Sequence, residues 1–66
     1  MKIRANDTEF ELEDGCSLKE FLESIGHQLG LVVVERNRQA LSPSEAKSAV
    51  LQDGDRLEIV KIVAGG

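Results

Sequence analysis

Leu57-Glu58-Ile59-Val60-Lys61-Ile62-Val63-Ala64-Gly65-Gly66 is the stretch on which the fold turns. It is rich in Ile and Val, whose branched side chains suit a pleated, half-buried surface, and it predicts a strand. Alternation places Leu57, Ile59, Lys61 and Val63 on one face and Glu58, Val60, Ile62 and Ala64 on the other. The first face carries residues for a core. On the second, Val60 and Ile62 are an apolar pair: either the far side of a central strand or a surface that docks a partner. Gly65 and Gly66 have no side chain to pack, so residues 64–66 are expected to form a flexible tail. The folded unit is expected to span residues 1–63.

Upstream, Gln52-Asp53-Gly54-Asp55 predicts the turn that launches this strand. Ser42-Pro43-Ser44-Glu45 is a helix start, with Ser42 as cap, Pro43 at the first helical position and Glu45 at the third. The residues after it, Ala46, Ala49, Val50 and Leu51, support only a short helix. Leu31-Val32-Val33-Val34 is apolar on both alternating faces and predicts a strand covered on both sides. Glu35-Arg36-Asn37-Arg38 then predicts a turn, and Gln39-Ala40-Leu41 a short edge strand.

The best-specified element lies nearer the start. Ser17-Leu18-Lys19-Glu20 has the form of a capping box, and Leu18, Phe21, Leu22 and Ile25 follow the spacing of one helix face. Gly26 stands where a helix-ending glycine belongs. Before it, Ile3 and Ala5 alternate with Lys2 and Arg4, and Phe10 and Leu12 with Glu9, Glu11 and Glu13. Asn6-Asp7 between them tolerates positive φ, so the two runs predict a β-hairpin. The order is β-β-α-β, a short strand, a short helix and a final strand. This is an α+β pattern in which the main helix crosses one face of a mixed sheet. The right-handed crossover rule puts the last strand beside the first and parallel to it.

Sixty-six residues make one domain, and 41% hydrophobic with 30% charged residues is the composition of a soluble protein. Phe10 and Phe21 are the only aromatics, so the core must be aliphatic. No apolar run approaches the roughly 20 residues of a membrane span, and Met1-Lys2-Ile3-Arg4 enters the alternation directly. A cytoplasmic location without membrane contact is expected. A net charge of −4 excludes the basic footprint of a nucleic-acid binder. Asp7, Glu9, Glu11, Glu13 and Asp14 read as a solvated face or as a surface steered toward a basic partner. Cys16 is a lone cysteine, so no intramolecular disulfide and no zinc cluster is expected. It reads as a small buried or turn residue, although a helix N-terminus beside it would lower a thiol pKa. His27 reads as a surface residue in a connector. No catalytic constellation is present, and an enzyme is not expected.

Taken together, the element order, the Gln52-Asp53-Gly54-Asp55 turn, the opening Met1-Lys2-Ile3 with Asn6 at the hairpin, Asn37 after the third strand and the ending Val63-Ala64-Gly65-Gly66 resemble the ubiquitin-like sulfur carriers, most closely the ThiS type. The resemblance spans the whole chain. It implies a β-grasp fold, and a Gly66 carboxylate that an ATP-dependent adenylyltransferase of the ubiquitin-activating type (ThiF-like) converts to an acyl-adenylate. A persulfide sulfur donor then makes the thiocarboxylate, which delivers sulfur to a thiazole synthase (ThiG-like). Ala64, Gly65 and Gly66 would enter the partner's active site, and the chain itself would bind no cofactor. Carriers serving molybdopterin, tRNA thiolation or cysteine synthesis share this ending, as do ubiquitin-like protein modifiers. A plain interaction domain, indifferent to its tail, is the remaining alternative.

Overall fold

The computed structural model describes residues 1–63. Strands β1 (Lys2–Ala5) and β2 (Thr8–Glu11) are followed by helix α1 (Leu18–Ser24) and a 3₁₀ turn (Leu29–Leu31). Strands β3 (Val32–Arg36) and β4 (Gln39–Ala40), helix α2 (Pro43–Ser48) and strand β5 (Arg56–Lys61) complete the order. The strands form one sheet, β2-β1-β5-β3-β4. β5 is parallel to β1 and antiparallel to β3, so the last strand is central, as the crossover rule requires. This is the mixed-sheet β-grasp arrangement expected from the sequence.

α1 forms where its end signals stand. The Ser17 hydroxyl accepts a hydrogen bond from the Glu20 N–H at 3.0 Å, and the Glu20 carboxylate accepts from the Ser17 N–H at 3.4 Å. Two otherwise orphaned donors are thereby satisfied. At the other end the Gly26 N–H donates to the Glu23 carbonyl and the His27 N–H to the Leu22 carbonyl. That closure needs a left-handed residue, and Gly26 supplies it at φ 88°. Between these stops Leu18, Phe21 and Leu22 are buried against Ile3, Ala5, Val32, Val34, Leu57 and Ile59, with Ile25 at the margin. Phe10, from β2, meets the Phe21 ring edge to face at 5.0 Å. α2 keeps its own capping box at Ser42 and Glu45, and its exit is tied to α1 by Leu18 N–H to Ala49 O and Leu51 N–H to Cys16 O.

Both hairpins close with two residues at positive φ, Asn6-Asp7 and Asn37-Arg38. These mirror-image turns match the twist of the flanking strands. The second corrects the sequence reading: Glu35 and Arg36 belong to β3, and the turn is only Asn37-Arg38. No glycine marks that turn, so its start was not legible. Leu31 belongs to the 3₁₀ turn rather than to the strand. The coverage expected on both faces of β3 is also corrected. Val32 and Val34 lie under the helix, whereas Val33 is 47% exposed on the open face of the sheet.

One buried charge ties the sheet to its loops. Asp55, only 4% exposed, accepts from the Gln52 N–H at 2.8 Å and from Asn37 Nδ2 at 3.1 Å, and pairs with the Arg36 guanidinium at 2.8 Å. Asn37 also brackets Arg56, accepting its N–H and donating to its carbonyl. Desolvation pushes the Asp55 carboxyl up, but the bonds from Gln52, Asn37 and Arg36 outweigh it and hold the pKa below its ordinary value. A depressed carboxylate pKa stabilises the fold above the unfolded value of about 3.9, and that contribution is lost as pH falls through the folded value. The thermal midpoint should therefore drop on acidification below about pH 4. Asp55→Asn should melt lower than wild type at neutral pH and show a shallower acid drop. Parallel acid profiles for the two proteins would contradict this role.

Candidate functional site

The site is built on the outgoing half of β5, and Asn6 decides how that half is held. β1 pairs with β5 only at Arg4–Arg56 and Ala5–Leu57 before it turns back into β2. The Asn6 N–H still reaches the Leu57 carbonyl at 3.0 Å. Its side-chain amide then stands in for the missing strand residue: Nδ2 donates to the Ile59 carbonyl at 3.0 Å, and Oδ1 accepts from the Ile59 N–H at 2.8 Å. On the opposite edge β3 pairs with β5 from Leu57 to Lys61, and the Ile62 N–H donates to the Leu31 carbonyl. Main-chain bonds thus hold β5 as far as Ile62. Residues 64–66, with the predicted reacting carboxylate of Gly66, lie outside the described residues.

The face of β5 turned away from the helices is open. Val60 is 61% and Ile62 54% exposed, the accessibility that a docking role requires. Val33 sits directly across from Val60 in the register, and Leu31 beside Ile62 is exposed as well. The sequence reading singled out Val60 and Ile62 but assigned Val33 to a covered strand. The signal that could have found it was the absence of a second helix long enough to cover the other face.

Farther along the same face the chemistry changes to charge. Glu35 and Glu58 are cross-strand partners, and so are Arg4 and Arg56. With Asp7 and Arg38 they line a shallow hollow of about 220 Å³. Like charges placed directly opposite are unfavourable in a sheet. Among the described residues the ion pairs are Arg36 with Asp55 and the N-terminal ammonium with Asp14, so the charges on this face neutralise none of their neighbours at contact distance. An apolar patch bordered by charged groups is the anatomy of a protein-binding surface.

The other residues raised by the sequence do not join this surface. Cys16 is half-buried before α1, with Sγ 3.5 Å from the Ser17 carbonyl. Burial first, and then the charges of Glu20 and Glu13, push its thiol pKa up, opposite to the lowering that a helix N-terminus would give. His27 belongs to the closing turn of α1. Glu9 and Glu11 are exposed on the edge strand β2, where charge discourages pairing with other chains. Among the described residues no three His, Cys, Asp or Glu side chains cluster as metal ligands, and no helix is long and apolar enough to cross a membrane.

Known proteins share both the fold and the sequence. A crystal structure of a thiamine biosynthesis protein (ThiS) from Geobacter metallireducens superposes with a TM-score of 0.79 over 100% of both chains, at 23% identity. A solution structure of a thiamine biosynthesis protein from the same organism gives 0.75 over 100% of this chain and 88% of that one. In sequence, the chain is 40% identical to the sulfur carrier protein ThiS of Thermus thermophilus, over 80% of this chain and 83% of the relative. It is 35% identical over its whole length to a thiazole synthase of Magnetococcus marinus and 32% to one of Paramagnetospirillum magneticum. The chain spans about one fifth (20%) of the length of those two synthases. The ThiS family model matches residues 1–66, and the chain belongs to the ThiS family.

Proposed function

We propose that this protein is a sulfur carrier of thiamine biosynthesis, working through the carboxylate of Gly66. The observation that carries the reading is the match of the ThiS family model to residues 1–66, which include Gly65-Gly66. A carboxylate with a pKa of about 3.5 is ionised at neutral pH and is a poor electrophile. An adenylyltransferase therefore first joins it to the α-phosphate of ATP, forming the acyl-adenylate and releasing pyrophosphate. The terminal sulfur of a persulfide attacks the acyl carbon and expels AMP. That step forms a C–S bond and leaves an acyl disulfide. A thiol then attacks the donor-side sulfur and breaks the S–S bond that came with the persulfide, leaving as a mixed disulfide with the donor and freeing the thiocarboxylate. Glycine serves here because the absence of Cβ lets the backbone enter a narrow channel. This chain supplies no acid, base or cofactor to these steps; it presents the carboxylate and the surface that docks it.

The sulfur acceptor in this reading is a thiazole synthase. Support comes from the two relatives of that name, which contain a segment matching this whole chain. In those proteins carrier-like and synthase sequence share one polypeptide, which is the arrangement expected when one serves the other.

Val60 and Ile62, together with Val33, form the docking patch for the activating enzyme. Covering the exposed half of Ile62 contributes on the order of 1 kcal/mol, about half the value of a full burial, and a carboxylate in its place would in addition have to be desolvated. In an ATP–pyrophosphate exchange assay with the adenylyltransferase of the same genome, wild-type protein should support exchange. Ile62→Asp should require at least roughly tenfold more protein for the same rate, equivalent to about 1.4 kcal/mol of binding. Its thermal stability should move by no more than about 0.5 kcal/mol, because Ile62 is already half exposed. Exchange by Ile62→Asp at the wild-type concentration dependence would remove the patch from the account.

A further inference from the structure

The two edges of β5 are not equally occupied, and the difference falls next to the tail. The backbone groups of Asp55, Leu57 and Ile59 face β1: Arg4 N–H donates to Asp55 O, Asn6 N–H to Leu57 O, and the Asn6 amide engages both groups of Ile59. Ile62 faces the other way and donates to Leu31 on the β3 side. Alternation therefore points the N–H and C=O of Lys61 toward the β1 side. No strand is there. β1 has turned back at Asn6-Asp7, and among the described residues neither group of Lys61 has a backbone partner. The central strand of the sheet thus ends in a free edge.

We propose that this edge accepts an extended segment of the activating adenylyltransferase, which adds to the sheet as a strand alongside Lys61. The inference rests on the sulfur-carrier reading above. Three features favour this occupant. An unpaired N–H and C=O pointing the same way from one strand residue, Lys61, suit the main chain of another extended segment. Lys61 stands five residues before Gly66 in the sequence, and strand pairing fixes the register of Lys61 in steps of about 3.3 Å. A lysine on an open edge discourages pairing between copies of the same chain, which points to a foreign strand rather than a second copy.

The test combines amide hydrogen exchange with three variants. In the free protein the Lys61 amide should exchange at least tenfold faster than that of Ile62, and saturating adenylyltransferase with ATP should slow it at least tenfold. Lys61→Pro removes an N–H that the fold does not use, so it should melt within a few degrees of wild type yet bind the enzyme at least tenfold more weakly. Lys61→Ala, which removes the charge and keeps the N–H, should bind within threefold of wild type. Ile62→Pro, which removes a used N–H, should lower the melting point and thereby validate the contrast. Wild-type binding without protection of Lys61, or equal weakening by Lys61→Ala and Lys61→Pro, would overturn the edge while leaving the carrier reading intact. Protection that appears with protein concentration alone would mean a second copy and would overturn it too. If Lys61→Pro does not fold, exchange in the wild-type complex decides the matter. Absence of any wild-type binding would instead overturn the carrier reading itself, and the edge with it.

Discussion

Deleting Gly66 should abolish ATP–pyrophosphate exchange and leave the thermal midpoint where it is. A carboxylate remains after the deletion, now on Gly65, but it stands one residue short of the adenylation centre. One residue spans at most about 3.3–3.6 Å, and a misplacement of even 1 Å can cost about a hundredfold in rate. β5 is held on both edges up to Ile59 and on the β3 side to Ile62, which fixes the position of the last strand in the sheet. Added residues after Gly66 should be equally inactive, because they convert the reacting carboxylate to an amide. Gly66→Ala keeps length and carboxylate and adds only a Cβ, so it should retain more activity than the deletion. Among the described residues the packed core is formed by Ile3, Ala5, Leu18, Phe21, Leu22, Val32, Val34, Leu51, Leu57 and Ile59, and the midpoint is expected to rest on these. Undiminished exchange by the deletion or by a tagged protein would exclude chemistry at this carboxylate.

Phe21→Ala should have the largest effect on the fold. Phe21 is 1% exposed at the centre of the interface between α1 and the sheet. Truncating a buried Phe costs roughly 3–5 kcal/mol in transfer and cavity terms. Loss of the edge-to-face contact with Phe10 falls within that range. Stabilities of roughly 0.05–0.15 kcal/mol per residue give a domain of this length only about 3–10 kcal/mol in total. A loss of 3 kcal/mol lowers the midpoint of so small a domain by roughly 12 °C or more. Circular dichroism should therefore show a variant that melts far below wild type or is already unfolded at room temperature. Val60→Ala, on the open face, should stay within about 0.5 kcal/mol of wild type. A Phe21→Ala melt within a few degrees of wild type would contradict the placement of this ring in the core.

What could be read from the sequence was local. The capping boxes at Ser17 and Ser42, the glycine after α1 and the apolar spacing of Leu18, Phe21, Leu22 and Ile25 each concern residues within about two helical turns, and each stands where expected. The central position of β5 followed from a general rule of chain handedness rather than from any residue. The features that needed the third dimension were missed. Asn6 reads as a turn residue, and nothing near it in sequence indicates that its side chain completes the ladder at Ile59. Asp55 reads as part of a turn, whereas in the fold it is a buried charge held by Arg36 and Asn37 from another hairpin. Val33 was misplaced because four apolar residues in a row fit a strand buried on both sides. The layer that would have covered its second face does not exist among the described residues. For the site itself, Val60 and Ile62 were legible from alternation alone. Their charged neighbours Glu35, Glu58, Arg4 and Arg56 required the strand register.

Intact-mass spectrometry reads sulfur on the carboxylate of Gly66 most directly. The protein would be incubated with the adenylyltransferase, ATP, a persulfide donor and a thiol, then weighed intact and fragmented. A mass increase equal to exchange of one oxygen for one sulfur is expected, located by fragmentation at residue 66 and dependent on ATP. A persulfide on Cys16 would instead add a whole sulfur atom and map to the start of α1, and conjugation to other proteins would appear as much larger species. No ATP-dependent exchange of oxygen for sulfur, or a sulfur located anywhere other than Gly66, would contradict the account.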